Sequence, residues 1–243
     1  MHEQLWFTEI LNRYFAGPVN SLLNAVHRPA EYSNAPIPNF FAMEILVVGI
    51  LLVFFVLVRS RLSVENPGGL QHAMEGVYGF IDNQSHEIIG HDYKRFTPYL
   101  ITVGLFILVG NLIGLIPGFE SPTANKLVPL GVAVCTFIYY HFHGIRKHKH
   151  HYIKQFVGPV LALSPLMFLI EVVSHLARVL SLTVRLYANM FAGEMVTLAF
   201  FSLIPIGVPI IFLLLHLGVS LVQTFIFVVL ATVYLAGAVG EEH

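Results

Sequence analysis

Six polar side chains stand inside the apolar run from Leu161 to Phe200: Glu171, His175, Arg178, Arg185, Asn189 and Glu194. Hydrated carboxylates and imidazoles can take and release protons near neutral pH, whereas a guanidinium keeps its charge. The set therefore suits proton handling around a fixed positive charge. At about 100° per residue, Glu171, His175, Arg178, Arg185 and Asn189 fall within a sector of about 80°, and Glu194 points away from them. An arginine at mid-membrane costs about 2.5 to 3.5 kcal/mol on insertion scales, so each charge needs a partner or water. Glu171 can reach His175 four residues on, and Arg178 can join them or release its head toward the interface. Structural pairing or anchoring is the leading reading for these three. Arg185 differs, because Glu194, its nearest carboxylate on the helix, lies nine residues or roughly 13 Å further on and on another side. A cation with no evident partner in its own chain suggests a carboxylate supplied by another subunit.

A second polar line follows downstream. His216, Ser220, Gln223, Phe227 and Tyr234 share one face of an otherwise oily final helix. With a turn centred near Ile206, Arg185 and Gln223 differ in level by about 6 Å, so they can face each other, and Glu194 and His216 also share a level. A lone intramembrane His or Gln can serve as interhelical glue, but matched levels favour a functional arrangement. Glu194 and His216 would form an aqueous inlet, and Arg185 would block proton hopping while attracting a moving carboxylate.

The elements that must carry these residues are helices in a bilayer. The 243 residues are 56% hydrophobic and 11% charged, with a mean hydropathy of +0.74, which is the composition of an integral membrane protein. A formal net charge of -1 gives no reason to expect nucleic-acid binding, and the single Cys135 in an apolar run reads as an inert core thiol. The first residues, MHEQLWFTEILNRYF, lack the basic start and clean apolar core of a cleaved signal. Residues 1–38 read as an extracytoplasmic leader with a short interfacial helix, and 39–243 as a single membrane domain.

The expected architecture is all-α and polytopic, with about five crossings. Spans are expected near Phe40–Val58, Phe96–Ile116 and Leu127–Phe142, followed by a hairpin of two long tilted helices over about 161–239. Pro165 and Gly193 allow adjustment near the ends of the first long helix. Glu44 reads as interfacial. The amphipathic stretch Asn66–Arg95 is expected at the membrane surface or as a cytoplasmic hairpin. Gly110 and Gly114 form a small-xxx-small face suited to helix packing. The histidines 141, 143, 148, 150 and 151 invite a metal reading, but a basic membrane-proximal loop explains the run better. Arg59, Arg61, Lys94, Arg95, Arg146, Lys147, Lys149 and Lys154 fall on one side, against Arg13, Arg28 and Lys126 on the other. That places the N-terminus outside and the C-terminus in the cytoplasm.

LTVRLYANMFAGE, its spacing to His216 and LVQTFIFVVLATVYL, and the terminal EEH together resemble the a subunit of bacterial F-type ATP synthases. NPGGLQHAMEGVYGF, GNLIGLIPG, SPTAN and the acidic residue fourteen before Arg185 also fit. The resemblance implies a non-catalytic stator channel of the inner membrane, without cofactor. Its implied partners are a rotating ring of c subunits, a b-subunit peripheral stalk and a soluble ATPase sector. Arg185 would match the essential arginine facing the ring carboxylate, Glu194 and His216 the polar pair of the outer half-channel, Gln223 the glutamine and Asn189 the asparagine near the arginine. Glu171 would match an acidic position of the other half-channel, with His175, Arg178, Ser220 and Tyr234 as supporting polar residues. Two departures stand out: Asn125 and Lys126 follow the PTA segment where many relatives carry an acid, and Val179 follows Arg178 where some have proline. The competing readings are a proton-coupled secondary transporter, a haem anchor using His175 and His216, and a purely structural anchor.

Overall fold

The computed structural model describes residues 4–25, 27, 34–116, 118–148, 164–203 and 207–240. The expected turn at Pro205 and Ile206, the histidines 150 and 151, and the terminal Glu241–His243 lie outside these residues. Among the described residues, regular structure is entirely helical: α1 Trp6–Ala25, α2 Asn39–Ser60, α3 Gly69–Ile89, α4 Thr97–Ile113, α5 Leu127–His148, α6 Ser164–Leu203 and α7 Val208–Val239. Four of them, α2, α5, α6 and α7, are long and apolar enough to cross a membrane, and α4 is a shorter apolar helix of 17 residues. In hydrocarbon every backbone N–H and C=O must be satisfied within the segment, so this composition has little choice but helix.

Local chemistry sets the ends. Pro38, extended at φ -75° and ψ 158°, precedes α2, and Arg59 sits in its last turn. Gly90 closes α3 at φ 75° and Gly207 precedes α7 at φ 87°, a region that disfavours any side chain. Asn125 Oδ1 accepts the Leu127 N–H at 3.1 Å, so the residue at the family-departing position starts α5. The helix at the N-terminus is longer than the short one expected. It runs through Pro18 to Ala25 and is tied to the start of α2 by Asn12, whose side chain bonds both the N–H and the C=O of Ile37 at 2.9 and 3.1 Å.

α7 is the centre of the bundle. Its Val228, Ala231, Leu235 and Ala238 share one buried cluster with Val47 and Leu51 of α2, Ile81 of α3 and Leu100, Ile101 and Leu105 of α4. Its Phe227 shares a second with Ile107, Ala133 and the α6 residues Leu182, Leu186 and Met190. The amphipathic α3 lays its apolar face on α4 and α7, with Phe80 against Phe225 at 5.7 Å. Asp82 accepts hydrogen bonds from Tyr93 and Thr97, which closes the turn into α4.

Three expectations are corrected. The basic run after Phe142 is not wholly a loop, because α5 continues to His148. Cys135 is exposed rather than a core thiol, on a groove of about 600 Å³ that Glu44 and Tyr99 also line. Gly110 and Gly114 pack against the chain segment Ser121–Thr123 instead of a neighbouring spanning helix's backbone.

A glycine contact between spanning helices occurs at Gly104, where an added Cβ would lie 2.9 Å from Val228 Cγ2. Gly104→Leu should therefore separate α3, α4 and α7 at an overpacking cost of about 1–3 kcal/mol. Thermal unfolding in detergent is expected to show a lower midpoint, whereas Gly131→Leu, whose position is open, should leave it in place.

Candidate functional site

The hairpin of α6 and α7 brings the polar residues together at three levels. Its register is read from four cross-contacts. Arg178 lies over the Tyr234 ring at 5.2 Å, Asn189 Nδ2 donates to Gln223 Oε1 at 2.9 Å, Ser220 Oγ approaches Met190 Sδ at 3.9 Å, and the His216 ring lies against Gly193. All four belong to one antiparallel register. Helical periodicity on each side then fixes which residues can meet.

At the middle level, Gln223 is buried and its amide is engaged by Asn189 rather than by Arg185. Arg185 is half-buried and donates to Ser181 Oγ at 3.2 Å, one turn back on its own helix. The expected facing of Arg185 and Gln223 is thus displaced by a turn, because the register sets Gln223 opposite Asn189. No carboxylate among the described residues forms an ion pair with Arg185. Around it Val184, Ala188 and Asn189 are exposed, so the guanidinium stands at an open helix face.

Toward the turn, Glu194 Oε1 accepts the Ser121 backbone N–H at 2.7 Å. Ser121 Oγ donates to the Gly110 carbonyl at 2.9 Å, and Thr123 Oγ1 donates to Asn111 Oδ1 at 2.6 Å. The segment before α5 is therefore folded into the bundle, with Ser121, Thr123 and Asn111 buried. Gly114 permits this, since an added Cβ would meet Ser121 Cβ at 2.8 Å and Glu194 Oε1 at 2.9 Å. Gly193 does the same for His216, whose Nδ1 would lie 2.8 Å from an added Cβ. Here α6 runs unbroken, so the glycine makes room for an imidazole and no bend. His216 Nε2 and Asn111 Nδ2 are buried without a hydrogen-bond partner. Buried polar atoms of that kind are the usual stations of ordered water.

At the opposite end, His175 is buried, with Nε2 at 3.2 Å from Glu171 Oε1 and Nδ1 at 3.1 Å from the Tyr140 hydroxyl of α5. Arg178 turns to Tyr234 instead of joining this pair. Val179 packs into the buried cluster and α6 passes it without interruption. His175 and the Gly193 level of His216 are eighteen residues apart on one helix, roughly 27 Å, so the two histidines cannot be axial ligands of one haem. Among the described residues, no three His, Cys, Asp or Glu side chains converge as metal ligands would.

Residues 41–236 match the family model described as ATP synthase A chain. The chain is 55% identical over 244 aligned residues to the ATP synthase subunit a of Koribacter versatilis strain Ellin345, covering 100% of both chains. It is 46% identical to that of Solibacter usitatus strain Ellin6076, over 96% of this chain and 100% of the other. The chain belongs to the ATP synthase A chain family. As a member, it is the proton-translocating, non-catalytic stator subunit of an F-type ATP synthase, a multi-pass protein of the bacterial inner membrane.

Sequence reasoning missed Asn111, Ser121, Thr123 and Tyr140. The signal for the first three was three small polar residues beside a glycine-spaced helix end, which reads as loop until the fold buries it. Thr123→Val should leave Asn111 Oδ1 without its donor at a cost of about 1–3 kcal/mol. The variant is expected to melt earlier in detergent and to expose the segment around Ser121 to protease, while Thr123→Ser keeps both values.

Proposed function

We propose that Arg185 is the fixed charge separating two aqueous half-channels, one containing Glu194 and His216 and the other Glu171. The observation that carries this reading is a cation at the middle of α6, at an open face, with no carboxylate partner among the described residues. A guanidinium left in hydrocarbon without a counter-ion opposes insertion, so a carboxylate from a ring of c subunits supplies what this chain lacks. Glu194 and His216 pass a proton to that carboxylate, which is then neutral and free to move into lipid with the ring. After rotation the carboxylate gives its proton to the route containing Glu171. Facing Arg185 it is held as an anion, and because arginine does not deprotonate, protons cannot hop directly between the routes.

Asn189 and Gln223 position the α7 face beside Arg185 through their amide bond, while Ser220, His175, Arg178 and Tyr234 support the line. The remaining partners are a b-subunit peripheral stalk and the soluble ATPase sector. The charge distribution supports an N-terminus outside and a C-terminus in the cytoplasm, because Arg59, Arg61, Lys94, Arg95, Arg146 and Lys147 lie at one end of the spanning helices. Residues 1–38 are then an extracytoplasmic leader and 39–243 a single membrane domain. The contact of Trp6 with Phe119 at 5.9 Å supports a leader docked at the mouth of the Glu194 route.

In reconstituted complex, Arg185→Ala should abolish ATP-driven proton pumping while the soluble sector still hydrolyses ATP. Normal pumping by that variant would overturn the assignment. Glu194→Gln keeps the acceptor for the Ser121 N–H but loses the titrating group. It should slow synthesis roughly tenfold or more, in the range of general acid–base effects. Gly193→Ala, which pushes the His216 ring aside, is expected to slow it similarly. Unchanged synthesis in both would argue against the outer route.

A further inference from the structure

One titratable side chain outside the assigned set packs directly on it. His141, about one and a half turns before the exposed Arg146 and Lys147 near the end of α5, meets the His175 imidazole edge-on with ring centroids 4.7 Å apart. Phe137 covers it from one turn back at 4.2 Å. Its chain neighbour Tyr140 is buried and bonds His175 Nδ1 at 3.1 Å, while Glu171 holds Nε2 at 3.2 Å. The His175 ring is therefore the middle of a sequence of groups: a carboxylate from α6 on one side, a phenol and a second imidazole from α5 on the other. Among the described residues, the charged and titratable groups around the two rings are Glu171 and Arg178 of α6, Tyr140 of α5 and Tyr234 of α7, whose ring lies 6.1 Å from that of Tyr140. Arg178 packs on the Tyr234 ring.

We propose that His141 is a proton-transfer group of the half-channel that contains Glu171, carrying protons between His175 and the basic end of α5. A proton on the Glu171 carboxyl passes to His175 Nε2. The proton on His175 Nδ1 leaves to the Tyr140 hydroxyl, 3.1 Å away, which in turn gives up its own proton to the His141 ring beside it. Water at the end of α5 then takes it. One proton enters and one leaves, and His175 returns to its first tautomer before the next passage. This inference rests on the placement of Glu171 in a half-channel made above.

The test uses the assembled complex in vesicles, with variants compared at equal amounts of assembled enzyme. His141→Phe and His141→Gln are expected to lower gradient-driven ATP synthesis by roughly threefold to tenfold, at the low end for acid–base groups because water can bypass the ring. Both should shift the dependence of the rate on pH at the C-terminal side, and ATP hydrolysis by the detached soluble sector should not change. Added imidazole should restore His141→Ala and leave the parent protein unaffected. A His141→Gln variant with full rate and an unshifted pH profile, or a His141→Ala variant blind to imidazole, would show that the ring only packs and overturn the proposal. Should His141→Phe fail to assemble, the Gln and Ala variants decide alone. Glu171→Gln and Arg185→Ala run in parallel: if these are impaired while the His141 variants are not, only this inference fails, and if all couple normally, the half-channel reading itself fails.

Discussion

A guanidinium that cannot give up its proton, set in the middle of a helix crossing hydrocarbon, is the constraint around which the rest is arranged. Hydrocarbon offers no hydrogen bonds and little screening, so Arg185 must be met by polar groups, by water or by a foreign carboxylate. Within the chain the described residues offer only the Ser181 hydroxyl. The other charged and titratable groups of α6 are each settled locally, Glu171 on His175, Arg178 on Tyr234 and Glu194 on the Ser121 N–H. The contrast isolates one charge without removing it from the membrane, and leaves it half-buried at a helix face whose neighbours Val184, Ala188 and Asn189 are exposed among the described residues.

The α6–α7 register converts that single charge into a device with two sides. Antiparallel helices in contact keep one register along their length. The same alignment that seats Arg178 on Tyr234 therefore also seats Asn189 on Gln223 and His216 on Gly193. Close approach at the last level needs a residue with no Cβ, and Gly193 provides it. The Glu171–His175 pair and the Glu194–His216 level consequently stand toward opposite ends of the paired helices, with the arginine between. Their separation is held by helix geometry.

The cluster around Glu194 depends equally on a piece of chain that is not a spanning helix. Non-helical backbone at membrane depth is tolerated where protein buries it or it lines a water-filled cavity. The segment Ser121–Thr123 meets that condition by giving its polar groups to Gly110, Asn111 and Glu194. Its place is made by Gly114, whose missing side chain leaves room for both Ser121 and the Glu194 carboxylate. Two glycines, on α6 and just past the end of α4, thus shape one polar chamber.

Much of this was legible in the chain. Long apolar runs dictate helices in a bilayer, and helical periodicity places Glu171 beside His175. A turn near residue 206 puts Glu194 level with His216, because each follows from a fixed rise and a fixed angle per residue. What periodicity cannot express is contact between segments distant in sequence. Gly114 reads as a helix-packing glycine until Ser121 is seen against it, Cys135 reads as core until its face of α5 proves open, and His141 reads as part of a basic loop until α5 continues and lays its ring on His175. Counting from a turn at 206 leaves Arg185 about one helical turn from the level of Gln223, but that Asn189 takes the Gln223 amide is seen only in the structure. Sequence by itself determined which residues are helical, which are charged and how far apart they lie along each helix. Tertiary structure decided which of those charges are answered, since that depends on side chains from other helices meeting at the same depth.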